Sequence, residues 1–282
     1  MDILTHIENG ILTISFNRPE KKNAITSAMY QAMADALIAA ETDVAVRVIL
    51  ITGKPEIFTA GNDLEDFMKN AASLASATTV PPVYQFMQAL SNSGKPVIAA
   101  VSGAAVGIGT TLLMHCDLIY LADNAKLSMP FTQLGLCPEF ASSMIFQQIV
   151  GYQRAAEKLM LGEAFSAEDA YEMGFVNRVL PQAELLPYAL HQAAKLVALP
   201  AASVRVTKRL MKAGQPAAVA AKMTEENTHF ASMLNAPEAK EAFTAFFQKR
   251  RPDFSQFNYF PASCAILRKL SKLAPGVIRL PS

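Results

Sequence analysis

The start of the chain alternates between apolar and polar positions in a way that predicts a β-hairpin followed by a helix. Two apolar-rich segments, 3–7 and 11–16, flank Glu8-Asn9-Gly10, and Asn-Gly favours the positive φ angles of a tight turn. Apolar positions then recur at helical spacing to about Glu41, and Thr26 stands where a hydroxyl can cap that helix. The chain is therefore expected to open with two antiparallel strands and a long helix.

An alternation of strands and helices continues to about residue 180. Further strands are predicted at 46–52, 96–101, 116–121, 127–129 and 175–180, and further helices at 109–115, 139–149, 153–161 and 167–173. Such an alternation is typical of an α/β protein with covered sheets. After Pro181 only amphipathic helices are predicted, at 183–199, 202–213, 217–235 and 238–248. They indicate an appendage that either caps its own core or forms an oligomer.

Two segments have no regular pattern. Residues 69–82 are rich in Ala, Ser, Thr and Pro and are predicted to be a mobile loop. The tail at 259–282 carries basic side chains and no acidic one, which favours a free tail, with an anionic surface as the alternative partner. We divide the chain into a catalytic core at 1–195, a helical oligomerisation or capping region at 196–258, and this basic tail.

Composition restricts the classes of function. The net charge of the 282 residues is +1, so no overall attraction to nucleic acid is expected. No apolar run reaches the roughly 18 residues of a membrane span, and the first residues do not resemble a signal peptide. Cys116, Cys137 and Cys264 are widely spaced, which predicts neither disulfides nor a metal site and favours a reducing, cytoplasmic location.

Candidate chemistry is concentrated in two glycine-containing turns, at 58–67 and 102–111. Each turn precedes a predicted helix, whose first N–H groups have no partner within the helix. Two such donors that converge on one point form an oxyanion hole, whereas the alternative is that each turn only packs a strand against a helix. The glycines at 103, 107 and 109 do not fit a dinucleotide-binding motif, and no Walker motif follows them.

Six motifs occur in a consistent order over about residues 3–254. They are Asn17-Arg18-Pro19-Glu20-Lys21-Lys22-Asn23-Ala24, Phe58-Thr59-Ala60-Gly61-Asn62-Asp63-Leu64, Lys95 to Gly103, Cys116-Asp117-Leu118-Ile119-Tyr120, Gly174-Phe175-Val176 and Pro237 to Phe243. Together they resemble the crotonase (enoyl-CoA hydratase/isomerase) superfamily. The resemblance implies an α/β fold of the crotonase type, a ββα spiral with a helical C-terminal region, assembled as a homotrimer or a hexamer.

The resemblance also implies an acyl-coenzyme A substrate, with coenzyme A as part of that substrate and no other cofactor. The thioester carbonyl is expected between the N–H groups of Asn62 and Ile108. Family members often have glycine at the position of Ile108, but a main-chain N–H survives this substitution. The other residues expected to bind the substrate are Lys21, Lys22, Ala24, Ala60, Gly61, Asp63, Leu64, Gly107 and Phe131. Lys249 or Arg250 of a neighbouring subunit is expected at the phosphates, with a solvated basic helix end as the alternative.

One departure from the family pattern indicates the reaction. The hydratases that the chain resembles use two glutamates, at positions that hold Thr111 and Phe131 here. Addition of water usually needs both carboxylates, so hydratase activity is expected to be weak or absent. Glu139 remains, and it is predicted at a helix start after Pro138. Its apolar neighbours would raise the pKa of Glu139, whereas the dipole of that helix would lower it.

The segment around Glu139 resembles the peroxisomal-type Δ3,Δ2-enoyl-CoA isomerases, in which this glutamate is the catalytic base. The resemblance therefore predicts that Glu139 moves a proton from C2 to C4 of a 3-enoyl-CoA. The alternatives within the fold are a hydratase, a hydrolase or a decarboxylase. If the protein is not an enzyme, the alternative functions are a CoA-thioester binder and an RNA-associated protein. His115 is expected to be a packed or helix-capping residue.

Overall fold

The chain folds into two β-sheets covered by helices, as the α/β prediction requires. The computed structural model describes residues 1–66, 68–69 and 80–257. The predicted loop at 69–82 lies mostly outside the described residues, and the predicted tail at 259–282 lies entirely outside them. The division of the chain at 195 and 258 stays a prediction.

Two sheets contain the strands of the described part of the chain. The strands are β1 (Ile3–Glu8), β2 (Ile11–Phe16), β3 (Val48–Thr52), β4 (Ile57–Thr59), β5 (Val97–Val101), β6 (Ala104–Val106), β7 (Leu118–Ala122), β8 (Lys126–Ser128), β9 (Phe165–Ser166) and β10 (Arg178–Leu180). The larger sheet has the order β1-β2-β3-β5-β7-β10, and the smaller sheet has the order β4-β6-β8-β9. In the larger sheet β1 and β2 form the antiparallel hairpin, and the other neighbouring strands are parallel.

Helices follow most of these strands and dominate the C-terminal part. They are α1 (Ser27–Thr42), α2 (Pro82–Ser91), α3 (Ile108–Thr111), α4 (Ser142–Val150), α5 (Tyr152–Leu161), α6 (Ala167–Glu172), α7 (Gln182–Ala198), α8 (Ala201–Met211), α9 (Pro216–Leu234) and α10 (Pro237–Phe247). Short 3-10 helices lie at Pro19–Lys21, Leu112–His115 and Thr132–Leu134. No helix in the described ranges combines the length and the hydropathy that a membrane span requires.

The central strands of the larger sheet are buried on both faces, whereas the edge strand β1 is mostly exposed. Alternate residues of β3 point to opposite sides, so Ile49 belongs to the main core whereas Val48 belongs to a second apolar cluster. The main core also contains Met33 of α1, and the second cluster contains Leu185 and Ala189 of α7. Helices on both faces of a mostly parallel sheet account for the continuous apolar run of β3.

Several predicted elements are confirmed. The hairpin has the expected turn, and the Thr26 hydroxyl accepts a hydrogen bond from the N–H of Met29, 3.3 Å away, as a helix cap. After Pro181 the described residues contain helices and no strand. Helix α2 is not among the predicted helices, and its first residue, Pro82, belongs to the predicted loop at 69–82; proline is favourable in the first turn of a helix.

The predicted helix start at Glu139 is wrong. Helix α4 begins at Ser142, because Phe140 and Ala141 adopt left-handed conformations with φ angles of 61° and 58°. A right-handed helix cannot include residues in this conformation. Glu139 therefore lies in a turn that precedes the helix, and Pro138 does not occupy the first helical position.

Candidate active site

A cavity of about 820 Å³ lies between the turn after β4, the start of α3 and the C-terminal helices. It brings together residues that the sequence had placed at the substrate: Lys21, Lys22, Ala24, Ala60, Gly61, Asn62, Asp63, Leu64, Gly107, Ile108 and Phe131. Glu139 is buried and is not among the residues that line this cavity. The structure thus joins the two predicted turns directly and places the predicted base behind them.

The smaller sheet aligns the two turns. Strands β4 and β6 are parallel, with Thr59 opposite Ala105, so the turns that follow them leave the sheet at the same edge. Gly61 has a φ angle of 86°, and a Cβ added there would lie 2.7 Å from the carbonyl oxygen of Val106. Only glycine fits this conformation and this close approach. The backbones of the two turns therefore contact each other.

The N–H groups of Asn62 and Ile108 have no hydrogen-bond partner among the described residues. Ile108 is the first residue of α3, where the N–H lacks a partner within the helix. On either side of Asn62, the Gly61 carbonyl accepts from Ile25 at 2.8 Å and the Asp63 N–H donates to Ile25 at 2.9 Å. Because alternate backbone groups of an extended segment point to opposite sides, the Asn62 N–H points away from Ile25.

The side chain of Asn62 is held by a buried tyrosine. The hydroxyl of Tyr30, on α1, donates a hydrogen bond of 2.5 Å to Oδ1 of Asn62. Burial, together with the negative charges of Glu139 and Asp66, holds the pKa of Tyr30 well above its usual value. The phenol therefore stays protonated and remains a donor. Tyr30 lies 32 residues from Asn62 in the chain and was not predicted to belong to the site.

A loop at 18–24 is joined to the turn at 60–64 by several hydrogen bonds. Nη1 of Arg18 donates to Oδ2 of Asp63 at 2.7 Å and to the carbonyl oxygen of Ala24 at 2.9 Å. Burial opposes ionisation of Asp63, but hydrogen bonds from Arg18 and from the N–H of Asp66 lower its pKa overall. These contacts leave Lys21 and Lys22 exposed at the mouth of the cavity.

The carboxyl group of Glu139 has a strongly raised pKa. Only 4% of the residue is exposed, and its Oε1 accepts a hydrogen bond of 2.5 Å from the hydroxyl of Thr111 on α3. Its Oε2 has no partner among the described residues. Burial raises the pKa of Glu139 to about 8, against the hydrogen bond from Thr111 and with a further contribution from the charge of Glu226. The carboxyl group can therefore both accept and release a proton near neutral pH.

The turn after Glu139 is clamped by two side chains. Nε2 of His115 is 2.9 Å from the carbonyl oxygen of Phe140, and the two rings stack with centroids 3.9 Å apart. Burial lowers the pKa of His115 to about 3, so the imidazole is neutral and its Nε2–H donates to the carbonyl. Glu226 of α9 accepts from the N–H of Ala141 at 2.6 Å. His115 is thus a packed residue, as predicted.

Glu226 was not predicted to belong to the site. It lies three residues after Met223 and four before Phe230, on the stripe of α9 that faces the core. Glu226 interrupts an apolar stripe, and this was a signal in the sequence that could have identified it. Acidic residues are almost never fully buried without partners, so a partner for Glu226 could have been expected.

The C-terminal helices form the remaining wall of the cavity. Phenylalanine side chains dominate this wall: Phe230, Phe243, Phe246, Phe247 and Phe254. Arg250 and Arg251 also line it, and Arg250 is paired with both carboxylate oxygens of Glu241. The expected contact of Lys249 or Arg250 with phosphates of a neighbouring subunit's ligand stays a prediction. Among the described residues, no group of three His, Cys, Asp or Glu is placed to hold a metal ion.

Comparison with known proteins identifies the architecture around this site. The sequence model of the family described as enoyl-CoA hydratase/isomerase matches residues 6–257. The chain belongs to this family. This chain is 30% identical over 253 residues to the 2,3-dehydroadipyl-CoA hydratase of Escherichia coli strain K12, and the match covers 90% of this chain and 98% of that protein.

An isomerase and a solved structure are also similar to this chain. Rat enoyl-CoA delta isomerase 2 is 34% identical over 250 residues, which cover 88% of this chain and 64% of that protein. The solved structure of Pseudomonas aeruginosa OdaA superposes with a TM-score of 0.83 at 48% identity, covering 87% of this chain and 98% of that one. The fold is therefore the crotonase fold, and the protein is a crotonase-type acyl-CoA enzyme whose relatives include hydratases and isomerases.

Proposed function

We propose that this enzyme is a Δ3,Δ2-enoyl-CoA isomerase, which converts 3-enoyl-CoA to 2-enoyl-CoA. The observation that carries the proposal is the buried carboxyl group of Glu139, which has a pKa of about 8 and is hydrogen-bonded to α3, the helix that begins with Ile108. Thr111 and Phe131 occupy the positions at which the resemblance expects the two hydratase glutamates. Neither side chain transfers a proton at neutral pH.

Glu139 acts as the general base and then as the general acid. It removes a proton from C2, and the electrons of that C–H bond form an enolate whose oxygen accepts hydrogen bonds from the N–H groups of Asn62 and Ile108. The protonated Glu139 then delivers the proton to C4. The double bond moves from C3–C4 to C2–C3, where it is conjugated with the thioester. One carboxyl group suffices because C2 and C4 belong to the same short allylic unit.

The cavity supports binding of the rest of the substrate. Lys21 and Lys22 at its mouth suit the negative phosphates of coenzyme A. The phenylalanines of the C-terminal wall provide apolar surface for a pantetheine or acyl chain. Coenzyme A enters only as part of the substrate, and no further cofactor or metal takes part in this mechanism. A homotrimer or hexamer is part of the proposal.

Turnover of 3-hexenoyl-CoA tests the proposal. The wild-type enzyme is expected to increase the ultraviolet absorbance that belongs to the conjugated product. Glu139→Gln keeps the volume of the side chain but removes the base, so the rate should fall about 10²–10⁴-fold. Glu172→Gln, at an exposed glutamate, is the matched control and should keep full activity. Retained turnover in Glu139→Gln, or rapid hydration of 2-hexenoyl-CoA by the wild type, would contradict the proposal.

A further inference from the structure

We propose that Glu226 is a positioning residue for Glu139, because it fixes the turn that carries Glu139 and places a second buried carboxylate beside it. This inference rests on the proposed role of Glu139 as the base. Glu226 belongs to α9, in the helical C-terminal part of the chain, 87 positions after Glu139. It therefore links the C-terminal helices to the proposed chemistry.

The burial of Glu226 requires compensation. Only 5% of the residue is exposed, on a helix face that also buries Met223, Phe230 and Leu234. A carboxylate in such surroundings is unfavourable unless hydrogen bonds replace its hydration. A leucine at this position would continue the apolar stripe, so apolar packing does not account for a glutamate here.

The partners of Glu226 are the backbone groups that follow Glu139. Its Oε2 accepts from the N–H of Ala141 at 2.6 Å, and its Oε1 accepts from the N–H and the hydroxyl of Ser143 at 3.0 and 2.5 Å. Ala141 is the residue before α4 and has no side-chain acceptor with which to cap that helix. Glu226 therefore supplies the cap from another helix, where a negative charge also suits the helix dipole.

This cap stabilises an unfavourable backbone conformation. Phe140 and Ala141 both have positive φ angles, which residues with a Cβ atom rarely adopt. His115 holds the carbonyl of Phe140, and Glu226 holds the N–H of Ala141. The peptide units immediately after Glu139 are thereby fixed from two sides, so the direction of the Glu139 side chain depends on both clamps.

Glu226 also determines the charge around Glu139. The described groups with an electrostatic or hydrogen-bond effect on Glu139, or affected by it, are Tyr30, Tyr84, Thr111, Cys137 and Glu226. Burial raises the pKa values of both tyrosines and of Cys137, so these groups are neutral. His115, behind Phe140, is neutral as well. The group in this set whose negative charge opposes ionisation of Glu139 is therefore Glu226. Burial raises the pKa of Glu226 as well, whereas the hydrogen bonds from Ser143 and Ala141 and the charge of Lys222 favour its ionised form.

A fixed negative neighbour strengthens a carboxylate base. Proton transfer from C2 to Glu139 would relieve the repulsion between the two carboxylates, so Glu226 favours the step in which the enolate forms. The same hydrogen bonds that neutralise part of the charge of Glu226 hold the turn. Positioning and charge thus come from one side chain, and they can be separated by substitution.

Glu226→Gln removes the charge but keeps an acceptor oxygen for the cap, whereas Glu226→Ala removes both. Glu225→Gln is the matched control, because Glu225 is the adjacent residue, is exposed and pairs with Lys222. We expect kcat to fall about tenfold in Glu226→Gln and about 100-fold in Glu226→Ala, with KM within about twofold of the wild type. The carbon-13 NMR titration of Glu139, assigned by its loss in Glu139→Gln, should move to lower pH in Glu226→Gln and remain in place in Glu225→Gln.

Ser143→Ala provides a second test that keeps both carboxylates. It removes one of the hydrogen bonds to Glu226, so kcat should fall several-fold while the titration of Glu139 does not move to lower pH. If Glu226→Gln and Ser143→Ala both match Glu225→Gln in kcat and in the titration, the inference is wrong. The titration requires no turnover, so an inactive wild type would contradict the proposed function while the coupling of the two carboxylates remained measurable.

Discussion

The hydroxyl of Thr111 donates a hydrogen bond to Oε1 of Glu139, although 28 residues separate the two in the chain. Thr111 ends the short helix α3, and Ile108 begins it. One turn of helix therefore connects the proposed base with one of the two proposed donors to the enolate oxygen. At the position where the resemblance expects a hydratase glutamate, this chain has a donor to a different carboxyl group.

Thr111→Val should raise the pKa of Glu139 further. The hydrogen bond from Thr111 favours the ionised carboxylate, and valine has the same shape without the hydroxyl. A hydrogen bond to a charged group contributes about 1.5–3 kcal/mol, which corresponds to an upward shift of about one unit or more. The measurement is the pH dependence of kcat/KM. Thr228→Val, on an exposed face of α9, is the control, and an unchanged profile in Thr111→Val would contradict the assignment.

The wild-type enzyme should become more active as the pH rises through about 8. A general base must be ionised in the free enzyme, and the pKa of Glu139 is about 8. The logarithm of kcat/KM is therefore expected to increase with a slope of about one below this pH and to level off above it. A steady-state assay with 3-hexenoyl-CoA across this range measures the profile. A plateau that already extends to about pH 5 would mean that another group, or an unperturbed carboxylate, limits the rate.

Glu139→Gln should make the protein more stable than the wild type at high pH. The folded-state pKa of about 8 lies above the ordinary 4.5, so the contribution of protonated Glu139 is fully present below pH 4.5 and is lost as the pH rises through 8. Glutamine stays neutral and avoids this loss. The difference in unfolding free energy should grow in favour of the variant by about 1.4 kcal/mol for each pH unit within that window. Urea denaturation of both proteins at matched pH values measures it, and a constant difference would refute the expectation.

Tyr30→Phe should lower kcat about fivefold, because it removes a hydrogen bond that contributes roughly 1 kcal/mol and that orients Asn62. The affinity for the substrate should change little, since Tyr30 does not line the cavity. Tyr188→Phe is the matched control, because the Tyr188 hydroxyl accepts a hydrogen bond from Arg178, away from the site. Equal kcat values for the two variants would show that Tyr30 does not support the oxyanion hole formed by the N–H groups of Asn62 and Ile108.

The fold could be predicted from the sequence because its signals are local. The Asn9-Gly10 turn, the Thr26 cap and the apolar run of β3 each depend on a few adjacent residues. The two glycine turns were also recognisable, since each precedes a predicted helix, but strands β4 and β6, which align the turns at one edge of a sheet, were not predicted. Their meeting in one cavity follows from this arrangement.

The environment of Glu139 could not be predicted in the same way. The dipole of the following helix was expected to lower the pKa of Glu139, but two left-handed residues separate Glu139 from α4. The contacts that determine its pKa and its direction come from Thr111, His115 and Glu226, which are distant in the chain. Periodicity within one segment contains no information about such pairs.

The contact between Gly61 and the carbonyl of Val106 has a consequence for evolution and for engineering. Main chain contacts main chain there, so the distance between the two turns is set by backbone atoms rather than by the side chains at the turns. Ala60 and Ile108 can then be exchanged to suit other acyl groups while the donors keep their separation. A scaffold of this kind lets substrate preference diverge without rebuilding the element that stabilises the anion.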